Sequence, residues 1–236
     1  MHLKRIGFSR HITLEWLNET ARLTKEIQDP EEVKQILSQI IDGHEGEEAR
    51  RKTIDVLTRT WTRVDENHTK LRDEALDLFN QVNSKEKIFL HWGMLILAYP
   101  IFHDIIELIG KLSQLQGYVS INQVKRNIKK EWGDRTTLNK TVDRIFRSLG
   151  NWGVIRSEEQ YYKMNTQIST YKEELQLWLL TSLLEYKKPS PIYYQDLLNS
   201  PTLFPFKLNI TIKTLEKANK IEIINQGSNI QMVRAL

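Results

Sequence analysis

The sequence predicts a mainly α-helical protein, an N-terminal helical bundle followed by two small α+β units. Three observations carry that expectation. Apolar residues recur at three- and four-residue steps through residues 1–99. A strand, helix, turn, helix and hairpin pattern follows over residues 118–163, and residues 172–236 repeat the order helix, helix, helix, hairpin. A chain of 236 residues, 40% hydrophobic and 27% charged, has the balance of a soluble globular protein and room for two or three small domains. The boundaries expected are 1–99, 100–165 and 166–236.

In the bundle, Leu14, Leu17, Ala21 and the positions 24–27 share one face of a helix over residues 12–28. Asp29 then offers an N-cap side chain, Pro30 suits a first turn, and Glu31 and Glu32 favour the positive end of the helix dipole. The second helix presents Val33, Ile36, Leu37, Ile40 and Ile41, stops at Asp42-Gly43, and gives way to a loop at residues 43–48. Ile54, Leu57, Trp61 and Val64 mark a third helical pattern, and Leu71, Ala75, Leu78, Phe79 and Val82 a fourth. Residues 64–69 between them fit either a turn or the polar face of one long helix. Asn83-Ser84 starts a helix apolar on every side, ending near Tyr99-Pro100, so four to five helices are expected in all.

The apolar run over residues 88–106 is interrupted by His91, Pro100, His103 and Asp104, and its clean part is shorter than the roughly 20 residues a membrane helix needs. A buried core helix is the expected reading, with no membrane partner. Residues 1–11 carry basic groups without an apolar signal core, which points to the cytoplasm. The absence of cysteine excludes disulfides, thiolate zinc sites and cysteine nucleophiles.

Ile101, Ile105, Leu108, Ile109, Leu112 and Leu115 continue a helical period until Gly117. Residues 118–120 read as a short strand, and Ile121, Val124 and Ile128 as the inner face of the next helix. After the turn Trp132-Gly133-Asp134, a helix over residues 136–149 points Leu138, Val142, Ile145, Phe146 and Leu149 inward. Trp152, Val154 and Ile155 follow in a strand, residues 157–160 form a tip, and residues 161–164 return. Between residues 122 and 156 lie Lys125, Arg126, Lys129, Lys130, Arg135, Lys140, Arg144, Arg147 and Arg156, against Glu131, Asp134 and Asp143 only. Nine cations against three acids leave a local excess of six, above the +4 of the whole chain. The charge is localised, as a phosphate-facing surface requires.

This order and charge resemble a winged helix-turn-helix DNA-binding protein over residues 101–165, and residues 172–236 resemble a second such unit with weaker charge. The resemblance implies that the helix at 136–149 enters the major groove of double-stranded DNA. Arg135, Thr136, Thr137 and Asn139 would then approach base edges. Lys140, Arg144 and Arg147 would run along the backbone, and Lys125, Arg126, Lys129 and Lys130 would hold phosphates from the preceding helix. Glu158 and Glu159 at the wing tip would oppose a phosphate. In the second unit Leu175, Trp178, Leu179 and Leu183 mark a helix, residues 189–191 a break, and Tyr194, Leu197 and Leu198 a short helix. Leu208, Ile212 and Leu215 suggest another, and residues 221–233 form a hairpin about Gln226-Gly227-Ser228. Lys207, Lys213, Lys217 and Lys220 there are interrupted by Glu216, so packing or dimerisation suits that unit as well as DNA.

No Gly-rich phosphate loop, nucleophile elbow or metalloprotease helix is present. His44 with Glu45, Glu47 and Glu48 lacks a second histidine at ligand spacing. His91 and His103 read as core or boundary residues, Asp65-Glu66 and Asp73-Glu74 as solvated, and Trp61, Trp92, Trp132, Trp152 and Trp178 as core or turn residues rather than stacking platforms. The expectation is therefore a non-enzymatic DNA-binding protein without metal or cofactor. It would serve either as a transcriptional regulator or as an accessory subunit of a DNA-processing or phage-defence assembly, with the bundle or the C-terminal unit available to a protein partner or homodimer. The rival expectation is a protein-interaction scaffold whose basic face meets an acidic partner.

Overall fold

The computed structural model describes residues 6–41, 46–187, 190–218, 220–226 and 230–236. Helices α1 (Leu14–Glu26), α2 (Pro30–Ile40), α3 (Glu47–Trp61), α4 (Thr69–Phe79) and α5 (Lys87–Ala98) form the N-terminal bundle. Their starts follow local chemistry. Thr13 Oγ1 accepts from Trp16 N at 3.3 Å, and Asp29 Oδ1 accepts from Glu31 N at 3.0 Å, each relieving an orphan amide. Between α3 and α4 the chain does turn, through a 3-10 segment Glu66–His68 capped by Asp65. Before α5, Asn83 Oδ1 accepts from Glu86 N while Glu86 Oε2 accepts from Asn83 N, both at 3.0 Å, a reciprocal cap. Every side chain of α5 from Ile88 to Leu97 is buried, so the helix runs through the middle of the molecule.

Helix α6 (Pro100–Gln116) follows at once, bent by 119° from α5. Pro100 supplies no N–H and fits the first turn, while Gly117, at φ +76°, supplies the left-handed stop. Among the described residues no single helix is long and apolar enough to cross a membrane. Helices α7 (Ile121–Trp132) and α8 (Thr136–Asn151) come next, then β1 (Ile155–Glu158) and β2 (Tyr161–Met164). The segment 165–172 carries β3 (Ile168–Ser169), which pairs in parallel with β5 (Phe206–Lys207). Helix α9 (Glu173–Lys187), β4 (Ile192–Tyr193), α10 (Tyr194–Leu198), a 3-10 turn Pro201–Leu203, α11 (Ile212–Lys217), β6 (Ile221–Gln226) and β7 (Ile230–Ala235) complete the chain.

Two segments share a strand order. In residues 100–164 Val119 bridges Tyr162 of β2, which lies beside β1. In residues 173–235 β4 pairs with β7, which pairs with β6. In each, the strand before the second helix pairs with the last strand, and the last with the middle one. The fold is thus mainly α-helical, with three small sheets among the described residues. One continuous apolar core links all parts, from Phe8 through Trp92 and Phe146 to Leu197 and Val233.

Several expectations are corrected. Glu47 and Glu48 open α3 instead of lying in a loop. Ile40, the last residue of α2, is 43% exposed while Ile41, which caps the helix, is buried. Leu115, in the last turn of α6, is 83% exposed. The strand expected at 118–120 is reduced to the single bridge at Val119. Trp152 caps α8 rather than entering a strand, since its indole N–H is held by Ile12 O at 2.9 Å. Asp42-Gly43, His44, Glu45, Pro189 and Gly227-Ser228 lie outside the described residues.

Candidate nucleic-acid interface

The candidate surface is built from α7, the turn at 133–135 and α8. Both helices are strongly amphipathic. Val124, Ile128 and Trp132 of α7 and Leu138, Val142, Ile145, Phe146 and Leu149 of α8 are buried, the two helices pack together, and Gly133 turns between them at φ +78°. The back of α8 is strapped by residues 8–12, which sequence periodicity did not assign to this unit. Ile12 N donates to Ser148 Oγ at 2.9 Å, and Thr141 Oγ1 donates to Phe8 O at 3.3 Å. Phe8 itself is fully buried against Tyr99 and Phe102.

The turn before α8 is fixed from below. Trp132 Nε1 donates to Asp104 Oδ2 at 2.9 Å, and His103 Nδ1 lies 3.0 Å from Asp104 Oδ1. The His103 ring packs on Tyr186 of α9, centroids 4.2 Å apart. Burial first, and Asp104 and Glu107 next, push the Tyr186 phenol above its ordinary range. The loop therefore has a hydrogen-bonded footing on α6, and the His103 ring carries the contact on to the C-terminal segment.

With that frame fixed, the outward residues of α8 are Thr136, Thr137, Asn139, Lys140, Asp143 and Arg147, all exposed, and Arg144, half-buried. On α7, Arg126, Lys129 and Lys130 are exposed and Lys125 is half-buried. Arg135 is half-buried, its guanidinium 5.8 Å from the centre of the Trp132 ring, so it belongs partly to the turn. Two of the cations are held by acids of the same surface: Lys125 Nζ by Asp143 Oδ1 at 2.6 Å, and Lys129 Nζ by Asp134 Oδ2 at 2.7 Å. Among the described residues, no carboxylate lies within ion-pair distance of Arg126, Lys130, Lys140 or Arg147. The sequence named these cations but not their pairing, which needs the crossing geometry of α7 and α8.

The hairpin tip differs from a simple acidic point. Glu158 is clamped by Lys163 Nζ at 2.9 Å and Arg156 Nε at 3.0 Å, and the Lys163 hydrogen bond leads in holding its carboxyl below the usual range. Only Glu159 remains without such compensation among the described residues, at φ +44° in the turn. On the outer face of the same sheet Tyr118 and Tyr161 lie 5.4 Å apart, and Lys163 Nζ is 5.6 Å from the Tyr161 ring.

The second segment offers less. Lys207, Lys213 and Lys217 are exposed, but Lys220 Nζ is bound to Glu74 Oε2 of α4 at 2.8 Å. Of the side chains that raise catalytic possibilities, His91 and His103 are buried, whereas Glu47, Glu48, Asp65, Glu66 and Asp73 are exposed. His91 is fully enclosed by Trp61 and Phe79, with Nε2 3.0 Å from Asn18 Oδ1. Trp61, Trp92, Trp132, Trp152 and Trp178 are all buried. Among the described residues no group of three His, Cys, Asp or Glu side chains could hold a metal ion. Comparison with protein-family models, curated proteins and solved structures finds no match.

Proposed function

We propose that the chain is a winged-helix DNA-binding protein that docks on double-stranded DNA through α7 and α8. The supporting observation is the outer face of α8 and its neighbour: Lys140 and Arg147, with Arg126 and Lys130, are cations without a carboxylate partner among the described residues, on helices whose opposite faces are wholly buried. Four such cations, each neutralising one phosphate, give a slope of log K against log salt of about −3.6, with a further increment if Lys125 or Lys129 exchanges its acid for a phosphate. Thr136, Thr137 and Asn139 open the helix where side chains approach base edges. A cytoplasmic regulator and an accessory subunit of a DNA-processing or phage-defence assembly both use a surface of this kind. Residues 173–235 extend the bundle, and a protein partner or second copy would join there or on the bundle.

The test is fluorescence anisotropy of the full chain with a labelled random-sequence duplex between about 50 and 200 mM salt. Binding should weaken steeply over that range, and Lys130→Glu with Lys140→Glu and Arg147→Glu should abolish it while the circular dichroism spectrum is unchanged. Absence of binding at the lowest salt, or full binding by the triple variant, overturns the proposal. The scaffold reading, in which the same face meets an acidic protein, is favoured by the exposed Leu115 and Tyr118 beside it, and it predicts loss of a partner without any change in duplex affinity.

A further inference from the structure

The cationic surface carries one acid where it is least expected. Asp143 lies on the outward face of α8, one turn after Asn139 and one turn before Arg147. Its side chain is half exposed, and its Oδ1 is held 2.6 Å from Lys125 Nζ, across from α7. That bridge fixes the carboxylate in place and compensates its charge in the free protein. A carboxylate is an acceptor only, and beside a phosphate it is repulsive. In the major groove it also meets repulsion from the N7, O6 and O4 acceptors, and finds a donor only in the exocyclic amino groups of cytosine and adenine.

We propose that Asp143 is a specificity-determining residue: it weakens docking on duplex in general and is satisfied only where the base it faces is a cytosine or an adenine, whose amino group donates, and not the guanine or thymine of the same pair, which offers acceptors alone. This rests on α8 being the groove-facing helix. Lys125 is the positioning partner, holding the acceptor ready before DNA arrives. Asp134 supplies a built-in contrast. It also pairs with a lysine, Lys129, at 2.7 Å, but it stands in the turn ahead of α8, off the stripe formed by Asn139, Asp143 and Arg147, and is 76% exposed. Its removal frees a cation without removing a base-facing acceptor.

The experiment measures wild type, Asp143→Asn and Asp134→Asn by salt-titrated anisotropy on a random duplex, and by selection from a pool of randomised duplexes. Both variants should bind the random duplex about three- to tenfold more tightly, with a salt slope steeper by about one charge. Only Asp143→Asn should relax the discrimination against guanine and thymine at one position, because its amide supplies a donor to their acceptors, a discrimination of about tenfold in the wild type. Unchanged selection by Asp143→Asn, with the wild type showing a preference there or not, overturns the proposal while leaving α8 as the binding helix. If wild type fails to bind any duplex at about 50 mM salt, the reading of α8 falls and this proposal falls with it.

Discussion

Residues 100–164 and 173–235 run through the same order of elements and the same strand order, yet they place their helices in opposite environments. In the first, α8 is 16 residues long, with one face buried and the other lined by Lys140, Arg144 and Arg147. In the second, the corresponding α11 has six residues, and the burial is concentrated in α9, where Leu175, Trp178, Leu179, Leu180, Leu183 and Leu184 are all enclosed. Trp178 Nε1 donates to Leu71 O of α4 at 2.9 Å, and Trp92 Nε1 of α5 donates to Thr202 O at 2.9 Å. Gly110 of α6 lets the Pro201 carbonyl approach so closely that an added Cβ would stand 2.0 Å from its oxygen. One arrangement thus leaves a helix face open to solvent, while the other completes the core of the bundle. Topology alone does not set a unit's role; the distribution of apolar residues around its helices does.

The largest effect should come from breaking the second arrangement. Trp178→Ala removes a fully buried indole and leaves the Leu71 carbonyl without that donor, and it should lower stability by about 3–5 kcal/mol. Gly110→Ala should be comparably severe, because the obstacle is backbone. Arg147→Ala, on the open face of α8, should stay within about 0.5 kcal/mol. Chemical denaturation followed by tryptophan fluorescence measures all three. Equal losses for Trp178 and Arg147 would erase the contrast.

Acid gives a graded probe of the same shared core. Burial, with a smaller contribution from Lys87, pushes the His91 imidazole down to about 3, against about 6.5 when unfolded. The unfolded chain therefore binds the extra proton first. Stability on this account is fully present above about pH 6.5 and falls by about 1.4 kcal/mol per pH unit as acid is added, until the folded value is reached. His91→Gln, which keeps a polar group near Asn18, should flatten that slope between pH 6 and 4. Because the core is continuous, the α8 segment should unfold with the bundle in the same transition. A separate, pH-insensitive melting of residues 100–164 would show that the open unit stands alone.

Much of this contrast was legible in the residues. The buried sides of α7 and α8 follow from Val124, Ile128, Leu138, Val142, Ile145, Phe146 and Leu149 at helical spacing, and all are buried. The crowding of apolar residues in 175–184 likewise signals enclosure rather than an open face. What periodicity missed is set by distant contacts. The strap at Phe8 and Ile12 has no repeating pattern, and it is fixed by Ser148 and Thr141 far along the chain. The pairing of Lys125 with Asp143 depends on how α7 crosses α8, and Leu115 keeps the helical period although it is exposed. Charge counting already subtracts Asp134 and Asp143 from the local excess, but it does not show that these two acids pair with Lys129 and Lys125.

A smaller expected effect compares the lysines of the two segments directly. Lys213→Glu with Lys217→Glu, on the short α11, should change duplex affinity by less than about threefold, whereas reversal of Lys140 and Arg147 should cost about a hundredfold or more. Similar losses from both pairs would assign DNA contact to both units and remove the functional half of the contrast.

The smallest expected effect concerns the hairpin tip. Glu158 lies between Arg156 and Lys163, so its charge is already answered within the sheet, and these exposed pairs contribute little to stability. Glu158→Gln should leave the denaturation midpoint unchanged, because the strand register from Ile155 to Met164 is set by backbone pairing and by Tyr162 packing on Phe146. If α8 docks on duplex as proposed and the tip approaches it, freeing the two cations should tighten binding about twofold and steepen the salt slope. If the tip stays clear, neither quantity should move. Anisotropy with Glu158→Gln therefore determines whether the open face ends with α8 or continues onto the hairpin, a boundary that the second segment, with Lys220 bound to Glu74 of the bundle, does not share.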